Sequence, residues 1–174
     1  SLNDTDATIR GGNLSSLMLT GDLNNYGFIT SSGSLDIGAD DIMNHAGIAS
    51  ASDLTLHSMN LYNYNTLFSG RDMNLFTSNI LRNHEDAEIY AGSMLRIAKD
   101  ASGNRTNRVE NISGKIESGG DMQIMATDIS NISATEITTT LQEVNGIIDI
   151  TCGDWGSFSC PDERIPLEVD LMAI

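Results

Sequence analysis

Basic residues are scarce in this sequence. Of its 174 residues, 9 are Lys or Arg and 24 are Asp or Glu, so the formal net charge is −15. Because phosphate binding needs clustered Lys and Arg, we expect no nucleic acid partner. The charge is compatible with solubility, with cation binding or with a basic protein partner.

Prolines, aromatic residues and long apolar runs are also few. There are two prolines, and Phe, Trp and Tyr make up 5% of the chain. No apolar run approaches the roughly 18 residues of a membrane span, so none is expected. Ser, Thr, Asn, Asp and Gly are abundant, while Ile and Leu recur regularly. This mixture is typical of many short strands joined by tight turns.

The chain start carries no targeting signal. Its first residues, SLNDTDATIR, lack both the basic start and the apolar block of a signal peptide, and there is no initiator Met. We therefore expect the sequence to be a segment of a longer protein, with a length that suits one substantial core.

A short phrase recurs along the chain, in which an apolar residue is followed two positions later by Asn. The pairs are Leu23/Asn25, Ile42/Asn44, Leu61/Asn63, Leu81/Asn83, Val109/Asn111 and Ile129/Asn131. Successive pairs recur at a nearly constant interval, except for one longer step between Asn83 and Asn111. Six Asn residues at one phase indicate an internal structural repeat.

Other positions of the unit keep the same phase. A second apolar column precedes a small-residue column and a turn that usually contains Gly, and a final strand carries two more apolar columns. The second apolar column is Ile29, Ile48, Leu67, Ile89 and Ile116; the small-residue column is Ser31, Ser50, Ser69, Ala91 and Ser118; the last strand has Leu35/Ile37, Leu54/Leu56, Met73/Leu75, Leu95/Ile97 and Met122/Ile124. Leu17 and Leu19 are expected to begin a weaker copy, as the counterparts of Leu35 and Ile37 in the preceding coil.

The repeat predicts an all-β fold. A unit of about 19 residues is too short for a strand–helix–strand crossover of about 30 residues, and its apolar residues alternate with period two. One unit cannot bury its apolar face alone, but stacked units can. We predict a right-handed parallel β-helix over residues 1–134, with coils of about 19 residues stacked at roughly 4.8 Å. Residues 135–174 are predicted to be a non-repeat C-terminal segment.

The Asn column is predicted to point inward as a structural ladder. An Asn side chain offers two donors and an acceptor, so at a bend it can bond to the coils above and below. The alternative is a row of exposed turn residues, because turns also favour Asn. The next column reads Tyr26, His45, Tyr64, His84, Ile112 and Ile132. Its rings are expected to point outward and stack, either as a partner-binding surface or as a cover for an exposed sheet.

The repeat is interrupted after Ile97. Extra residues centred on KDASGNRTNR form a predicted insertion loop at about 98–108. Arg96, Lys99, Arg105 and Arg108 place four of the nine basic residues within this short stretch. Loops that leave a regular solenoid are common functional sites, which makes these residues partner-binding candidates; the alternative is a solvated insertion.

The phase is lost again near Ala134. Residues 135–174 contain CGDWGSFSC, in which the spacing of Cys152 and Cys160 permits a small disulfide loop in an oxidising compartment; two free thiols are the alternative. We interpret this tail as a cap or a transition segment, since an exposed β-helix end is prone to aggregate. The alternative is a contact element that displays Trp155 and Phe158.

The phrases VENISGKIESGGDMQIMATDISN, residues 109–131, and LNNYGFITSSGSLDIGADDI, residues 23–42, carry a family resemblance. They resemble the repeats of filamentous haemagglutinin-like exoproteins, which combine an apolar-x-Asn start, a Ser-x-Gly turn and an LxLxA strand. The resemblance covers residues 17 to about 133 and does not extend to the C-terminal segment. The VENN tetrapeptide that commonly marks a toxin boundary is absent; residues 109–112 only partly resemble it.

This resemblance implies a secreted surface protein of a Gram-negative bacterium. Such exoproteins leave the cell by two-partner secretion through an outer-membrane transporter, and they include adhesins, haemolysins and the stick-like proteins of contact-dependent growth inhibition. It implies a non-catalytic stalk or binding segment that contacts a protein or glycan receptor on a target cell, without a cofactor. The implied extracellular setting favours a Cys152–Cys160 disulfide.

Two other functions compete with this interpretation. Some parallel β-helices cleave acidic polysaccharides, but here only Asp53, Asp72 and Asp121 share one phase, and a turn role accounts for them more economically. A calcium-stabilised repeat is disfavoured because its Gly–Asp nonapeptide does not recur. No carboxylate column or Cys cluster accompanies the histidines, so no metal site and no catalytic residue is predicted.

Overall fold

The computed structural model describes residues 1–133, and beyond them only the backbone of two strands at 146–150 and 163–167. Within residues 1–133 the regular elements are strands, and all of their pairings are parallel. They form a β-solenoid of about seven turns, with equivalent positions about 20 residues apart. The predicted all-β parallel β-helix of short coils is therefore confirmed.

The described residues contain the following strands, in chain order. They are β1 (Leu2–Asn3), β2 (Thr8–Gly11), β3 (Leu14–Met18), β4 (Leu23–Asn25), β5 (Phe28–Ser31), β6 (Ser34–Gly38), β7 (Asp41–Asn44), β8 (Gly47–Ser50), β9 (Leu54–Asn63), β10 (Thr66–Ser69), β11 (Met73–Asn83), β12 (Glu88–Ala91), β13 (Leu95–Ala98), β14 (Thr106–Ile112), β15 (Lys115–Ser118), β16 (Met122–Ile124), β17 (Ala126–Ile132), β18 (Gly146–Ile150) and β19 (Glu163–Leu167).

Each coil contributes three strand positions, which stack into two sheets. The first sheet has 11 strands, because β9 and β11 run from the third position of one coil into the first position of the next. The second sheet has six strands in the order β15-β12-β10-β8-β5-β2. This arrangement places equivalent residues of successive coils side by side on a common face.

The core consists of apolar columns that run from coil to coil. Ile29, Ile48, Leu67, Ile89 and Ile116 pair in register in the second sheet, and Leu35, Leu54, Met73, Leu95 and Met122 pair in the first. In the middle coils these side chains are fully buried. Each fully buried Leu, Ile or Met side chain contributes about 1.5–3 kcal/mol, so the columns supply the main driving force for stacking.

The first coil differs from the expectation. Leu17 pairs with Ile37 and Ser15 pairs with Leu35, so the expected match of Leu17 with Leu35 and of Leu19 with Ile37 is wrong. A shift of two positions preserves the inward alternation, which is why the apolar pattern alone assigned these residues to the wrong rungs. In addition, β1 pairs with β4 and aligns Asn3 with Asn25, which adds a member to the Asn column that the spacing did not identify.

The Asn column lies inside the solenoid as a continuous hydrogen-bonded ladder. Each Asn donates from Nδ2 to the Oδ1 of the Asn in the next coil, at 2.7–2.9 Å. The ladder runs Asn3, Asn25, Asn44, Asn63, Asn83, Asn111 and Asn131. The same amides donate to corner carbonyl oxygens, as Asn44 does to Ala46 and Thr66. The ladder thus joins the coils and gives corner carbonyl oxygens a further donor, since Ala46 O, for example, also accepts from the Thr66 amide.

Replacing Asn63 by Leu should destabilise the solenoid by at least ~2 kcal/mol. The buried Oδ1 of Asn83 loses its ladder donor, Asn44 loses one of its three acceptors, and the Glu88 carbonyl oxygen loses a donor; an unsatisfied buried group costs about 1–3 kcal/mol. Urea unfolding followed by circular dichroism measures the change. Asn74→Ala, at an outward position of β11, is the control and should shift stability by less than about 0.5 kcal/mol. Equal effects of the two substitutions would show that the ladder does not stabilise the fold.

Gly70 turns the chain where consecutive coils approach closely. A Cβ at position 70 would lie 2.2 Å from the carbonyl oxygen of Ala51, and Gly92 meets Gly70 in the same way at 2.3 Å. Backbone atoms cannot move aside as a flexible side chain can. The turn column therefore requires small residues because of coil-to-coil contact.

Gly70→Ala should lower stability by about 1–3 kcal/mol, because the added methyl group forces two coils apart. The matched control is Gly12→Ala, since a Cβ at position 12 meets no atom within 4 Å. Thermal unfolding of the two variants gives the comparison. The explanation is wrong if Gly12→Ala is as destabilising as Gly70→Ala.

The chain forms two compact units, Ser1–Ala134 and Thr135–Ile174. In the second unit β18 and β19 pair in antiparallel register, from Gly146 opposite Leu167 to Ile150 opposite Glu163. The part of the chain that the structure describes has no helix that is long and apolar enough to cross a membrane.

Candidate functional site

The outward column after the Asn ladder forms a continuous ring stack, here called the Tyr/His stack. It contains Tyr26, His45, Tyr64 and His84. The ring centroids are 4.3 Å apart for Tyr26 and His45, 4.5 Å for His45 and Tyr64, and 4.0 Å for Tyr64 and His84, with interplanar angles of 15° or less. Because Asn points inward, the next residue points outward, and the parallel register places the rings above one another.

The stack presents ring edges to solvent and buries most ring faces. Tyr26 is 44% exposed and Tyr64 is 40% exposed, so their hydroxyl-bearing edges are accessible. Tyr64 lies between His45 and His84, which prevents the two imidazoles from ligating one ion. Among the described residues no group of three or more His, Cys, Asp or Glu is arranged to hold a metal.

His84 ends the stack in an environment that disfavours its protonated form. Its burial lowers the pKa below the ordinary value of 6.5, and the positive charge of Arg82 adds to this effect. Its Nε2 atom is covered and has no hydrogen-bond partner among the described residues. The folded state therefore favours the neutral imidazole.

The lowered pKa of His84 predicts a loss of stability at acidic pH. Above pH 6.5 the residue is neutral in both the folded and the unfolded state. As the pH falls from 6.5 through the folded-state pKa, the unfolded state takes up the proton first, so stability decreases. His84→Phe keeps a ring in the stack and should reduce the difference in melting temperature between pH 7.5 and pH 5. An NMR titration midpoint of His84 at or above 6.5 would contradict this account.

The predicted insertion loop is an ordered turn between β13 and β14. The Lys99 amide donates to the Asn104 carbonyl, and Gly103 adopts a φ of 82°. Asp100 accepts hydrogen bonds from Asn104 Nδ2 at 2.8 Å and from the Ser102 amide at 3.0 Å. The Asn104 bond lowers the pKa of the Asp100 carboxyl, because donors favour its ionised form. The loop thus holds its own shape.

The basic residues near this loop fall into two groups. Arg108 forms ion pairs with Glu110 and Asp128, and Arg82 pairs with the same Glu110. Burial alone would raise the pKa of the Glu110 carboxyl, but the hydrogen bonds and charges of Arg82 and then Arg108 outweigh burial and lower it. Arg108 is therefore already paired with two acidic side chains and is less available to an external partner.

Three basic residues remain around the loop. Lys99 and Arg105 are exposed and form no ion pair with any residue that the structure describes. The Arg96 guanidinium lies close to Gly103 and Met125, since a Cβ at Gly103 would be 3.2 Å from one of its terminal nitrogens. Lys99 and Arg105 are thus the available cations of the predicted site.

Two of the three in-phase aspartates, Asp53 and Asp72, lie along an outer groove. This groove is lined in part by Asp36, Asp53 and Asp72. The Asp53 carboxylate accepts from the Asp72 amide at 3.3 Å, and the Asp72 carboxylate accepts from the Met94 amide at 3.2 Å. These acids therefore bond to the backbone of the next coil.

A second polar ladder, which the sequence analysis missed, runs outside the Asn column. Asn60 donates to Asp41 at 2.7 Å, Asn79 to Asn60 at 2.9 Å, and Asn107 to Asn79 at 3.0 Å. The steps between members are 19, 19 and 28 residues, against 19, 20 and 28 in the main ladder. The register shift between Thr77 and Ile80 accounts for the difference. The regular spacing of these residues could have revealed the ladder from the sequence. It was not recognised because the column starts with Asp and continues with Asn.

The remaining candidates from the sequence lie outside the Tyr/His stack and the insertion loop. Ile112 and Ile132 continue the column beyond His84 without rings. Cys152, Trp155, Phe158 and Cys160 lie outside the described residues, so their proposed pairing and display stay predictions.

The described fold is that of a parallel β-solenoid repeat protein. No protein-family model, curated protein or solved structure matches the chain at a significant level.

Proposed function

We propose that this chain is a non-catalytic stalk and binding segment of a large secreted exoprotein of the filamentous haemagglutinin type. In this proposal the parent protein leaves a Gram-negative bacterium through an outer-membrane transporter partner. At the cell surface it contacts a receptor on another cell, for adhesion or for delivery of a growth-inhibition toxin. The resemblance of residues 17 to about 133 to such repeats motivates the assignment.

The continuity of the Asn ladder is the observation that carries this proposal. Seven Asn residues connect successive coils, and the bond from Asn83 to Asn111 measures 2.9 Å although the chain between them includes the insertion. The inserted loop therefore leaves the stacking intact. A scaffold that keeps its register while loops vary is suited to holding a binding element at a distance.

The loop offers the first candidate contact. Lys99 and Arg105 are exposed cations on an ordered turn, in a chain with a net charge of −15. An exposed charge on a rigid loop can steer and orient a negatively charged receptor. Arg96 and Arg108 are better suited to support the loop, because they contact neighbouring residues.

The double substitution Lys99→Glu/Arg105→Glu should weaken saturable binding of the purified protein to susceptible bacteria or host cells by roughly tenfold. The control is Arg71→Glu, an exposed cation at a turn between β10 and β11, which should leave binding unchanged. Flow cytometry with labelled protein gives both affinities, and Cys152→Ser/Cys160→Ser tests the tail in parallel. Absence of binding by every form to all cells tested would reject the binding role and leave a plain stalk.

A polysaccharide-cleaving enzyme is the alternative, and the acidic groove is the observation that favours it. The bonds from Asp53 and Asp72 to backbone amides support a structural role for these acids. Incubation with polyuronates followed by sizing of the chains separates the two functions. Shortened chains would establish catalysis.

A further inference from the structure

The outward face of the second sheet collects aromatic side chains that the sequence pattern did not single out. It is here called the aromatic face and is formed by the outward residues of β5, β8, β10 and β12. These residues are Phe28, Thr30, Gly47, Ala49, Thr66, Phe68, Glu88 and Tyr90. The Tyr/His stack borders it, because Tyr26 and Tyr64 stand two positions before Phe28 and Thr66.

The Phe28 ring leans over Gly47 of the next coil. A Cβ at Gly47 would fall 2.7 Å from Cδ1 and 2.9 Å from Cε1 of the Phe28 ring. The ring therefore covers the glycine of the next coil, in the space that a side chain would fill. Phe28 is nevertheless 54% exposed, so much of its side chain is open to solvent.

Phe68 and Tyr90 also leave ring surface uncovered. Their centroids are 5.8 Å apart with an interplanar angle of 12°. This separation exceeds the coil spacing of about 4.8 Å, so the rings are offset along the sheet. The Tyr/His stack differs, since its separations of 4.0–4.5 Å leave mainly edges exposed.

The centre of the aromatic face carries no charged residue. From β5 to β10 its outward positions are Phe, Thr, Gly and Ala, while Arg10 in β2 and Glu88 in β12 mark its two ends. The whole chain has 24 acidic residues and a net charge of −15. A ligand on this face is therefore expected to be neutral, because an anion would be repelled by the chain and a cation would find no carboxylate at the centre.

The size of the face limits the kind of ligand. Four stacked coils at about 4.8 Å and four residues at about 3.3 Å give a surface of roughly 250 Å². A stable protein interface buries about 800 Å² on each partner. The face is too small for a folded protein or for a second copy of this chain, and large enough for a short flexible chain.

We propose that the aromatic face binds a neutral oligosaccharide. The slightly positive C–H groups on the apolar side of a sugar ring are attracted to the negative face of an aromatic ring. The offset rings of Phe68 and Tyr90 supply such faces, and Phe28 adds exposed ring surface. The hydroxyls of Tyr26 and Tyr64 at the border supply hydrogen-bond partners for sugar hydroxyls. The inference rests on the proposed function, to which it adds a contact with a neutral sugar chain beside the contact that Lys99 and Arg105 offer to a negatively charged group.

The test uses the complete chain with soluble cello-, malto-, chito- and galacto-oligosaccharides, and polygalacturonate as the anionic comparison. Saturation-transfer NMR and titration measure binding. We expect a millimolar dissociation constant for at least one neutral series and weaker binding of polygalacturonate. Phe68→Ala should raise the dissociation constant roughly tenfold. Ala49→Glu retains every ring but places a charge at the centre, and it should weaken binding at least as much.

The matched control is Tyr62→Ala. Tyr62 points outward on the first sheet, between Met43 and Arg82, and is not part of the aromatic face. Its substitution should leave the dissociation constant unchanged, and urea unfolding of each variant checks that the solenoid is intact. If Tyr62→Ala weakens binding as much as Phe68→Ala, or if no neutral oligosaccharide binds saturably, the proposed site is rejected.

Cell binding separates this inference from the proposed function. Cell binding that neutral oligosaccharides do not inhibit, and that protease treatment of the cells abolishes, would overturn the oligosaccharide inference and leave the proposed function standing. Oligosaccharide binding without binding to any cell would support the site and count against the proposed function. Inhibition of cell binding by the bound oligosaccharide would support both.

Discussion

The hydrogen bond from one Asn side chain to the Asn of the next coil is the interaction on which the rest of the solenoid depends. Inside the corner, each amide bonds to a neighbouring amide and to at least one carbonyl oxygen at the bend. Asn44 does so with three acceptors. Each such bond adds about 1 kcal/mol net, and a buried donor or acceptor left without a partner costs about 1–3 kcal/mol. The ladder therefore specifies register more strongly than it adds stability, because a slip would leave buried polar groups unpaired.

A fixed register determines what the outside of the molecule can display. The residue after each Asn points outward at one position per coil, which aligns Tyr26, His45, Tyr64 and His84 into a stack. Extra residues can also be inserted between two coils without disturbing the stacked columns, as the loop between β13 and β14 shows. The columns thus separate two requirements: the inward positions preserve stacking, while outward positions and loops are free to change.

The sequence made the inward columns apparent, because burial restricts them to a few residue types at a constant phase. The apolar columns and six of the seven ladder positions could be identified from spacing alone. Asn3 was missed because Ser1, not an apolar residue, occupies its anchor position, and Leu17 was misaligned because a slip of two positions preserves alternation. Inward positions are thus predictable wherever the repeat is complete.

Outward features were harder to predict because they depend on neighbours that are distant in sequence. Arg108 looked like part of a free basic cluster, yet Glu110 and Asp128 neutralise it, and Arg82 comes from the preceding coil. The aromatic face likewise arises only when Phe28, Phe68 and Tyr90 are brought together by stacking. Their spacing in sequence follows no single column, so no periodic signal identified them.

The central claim is that the Asn side chains are interior, mutually bonded groups. Hydrogen exchange of the side-chain amides, resolved residue by residue by NMR, tests it most directly. The account predicts strongly slowed exchange for Asn25, Asn44, Asn63 and Asn83, which are fully buried, and rapid exchange for the exposed Asn13. Similar fast exchange at all five positions would contradict the ladder and, with it, the explanation of how this chain stacks its coils.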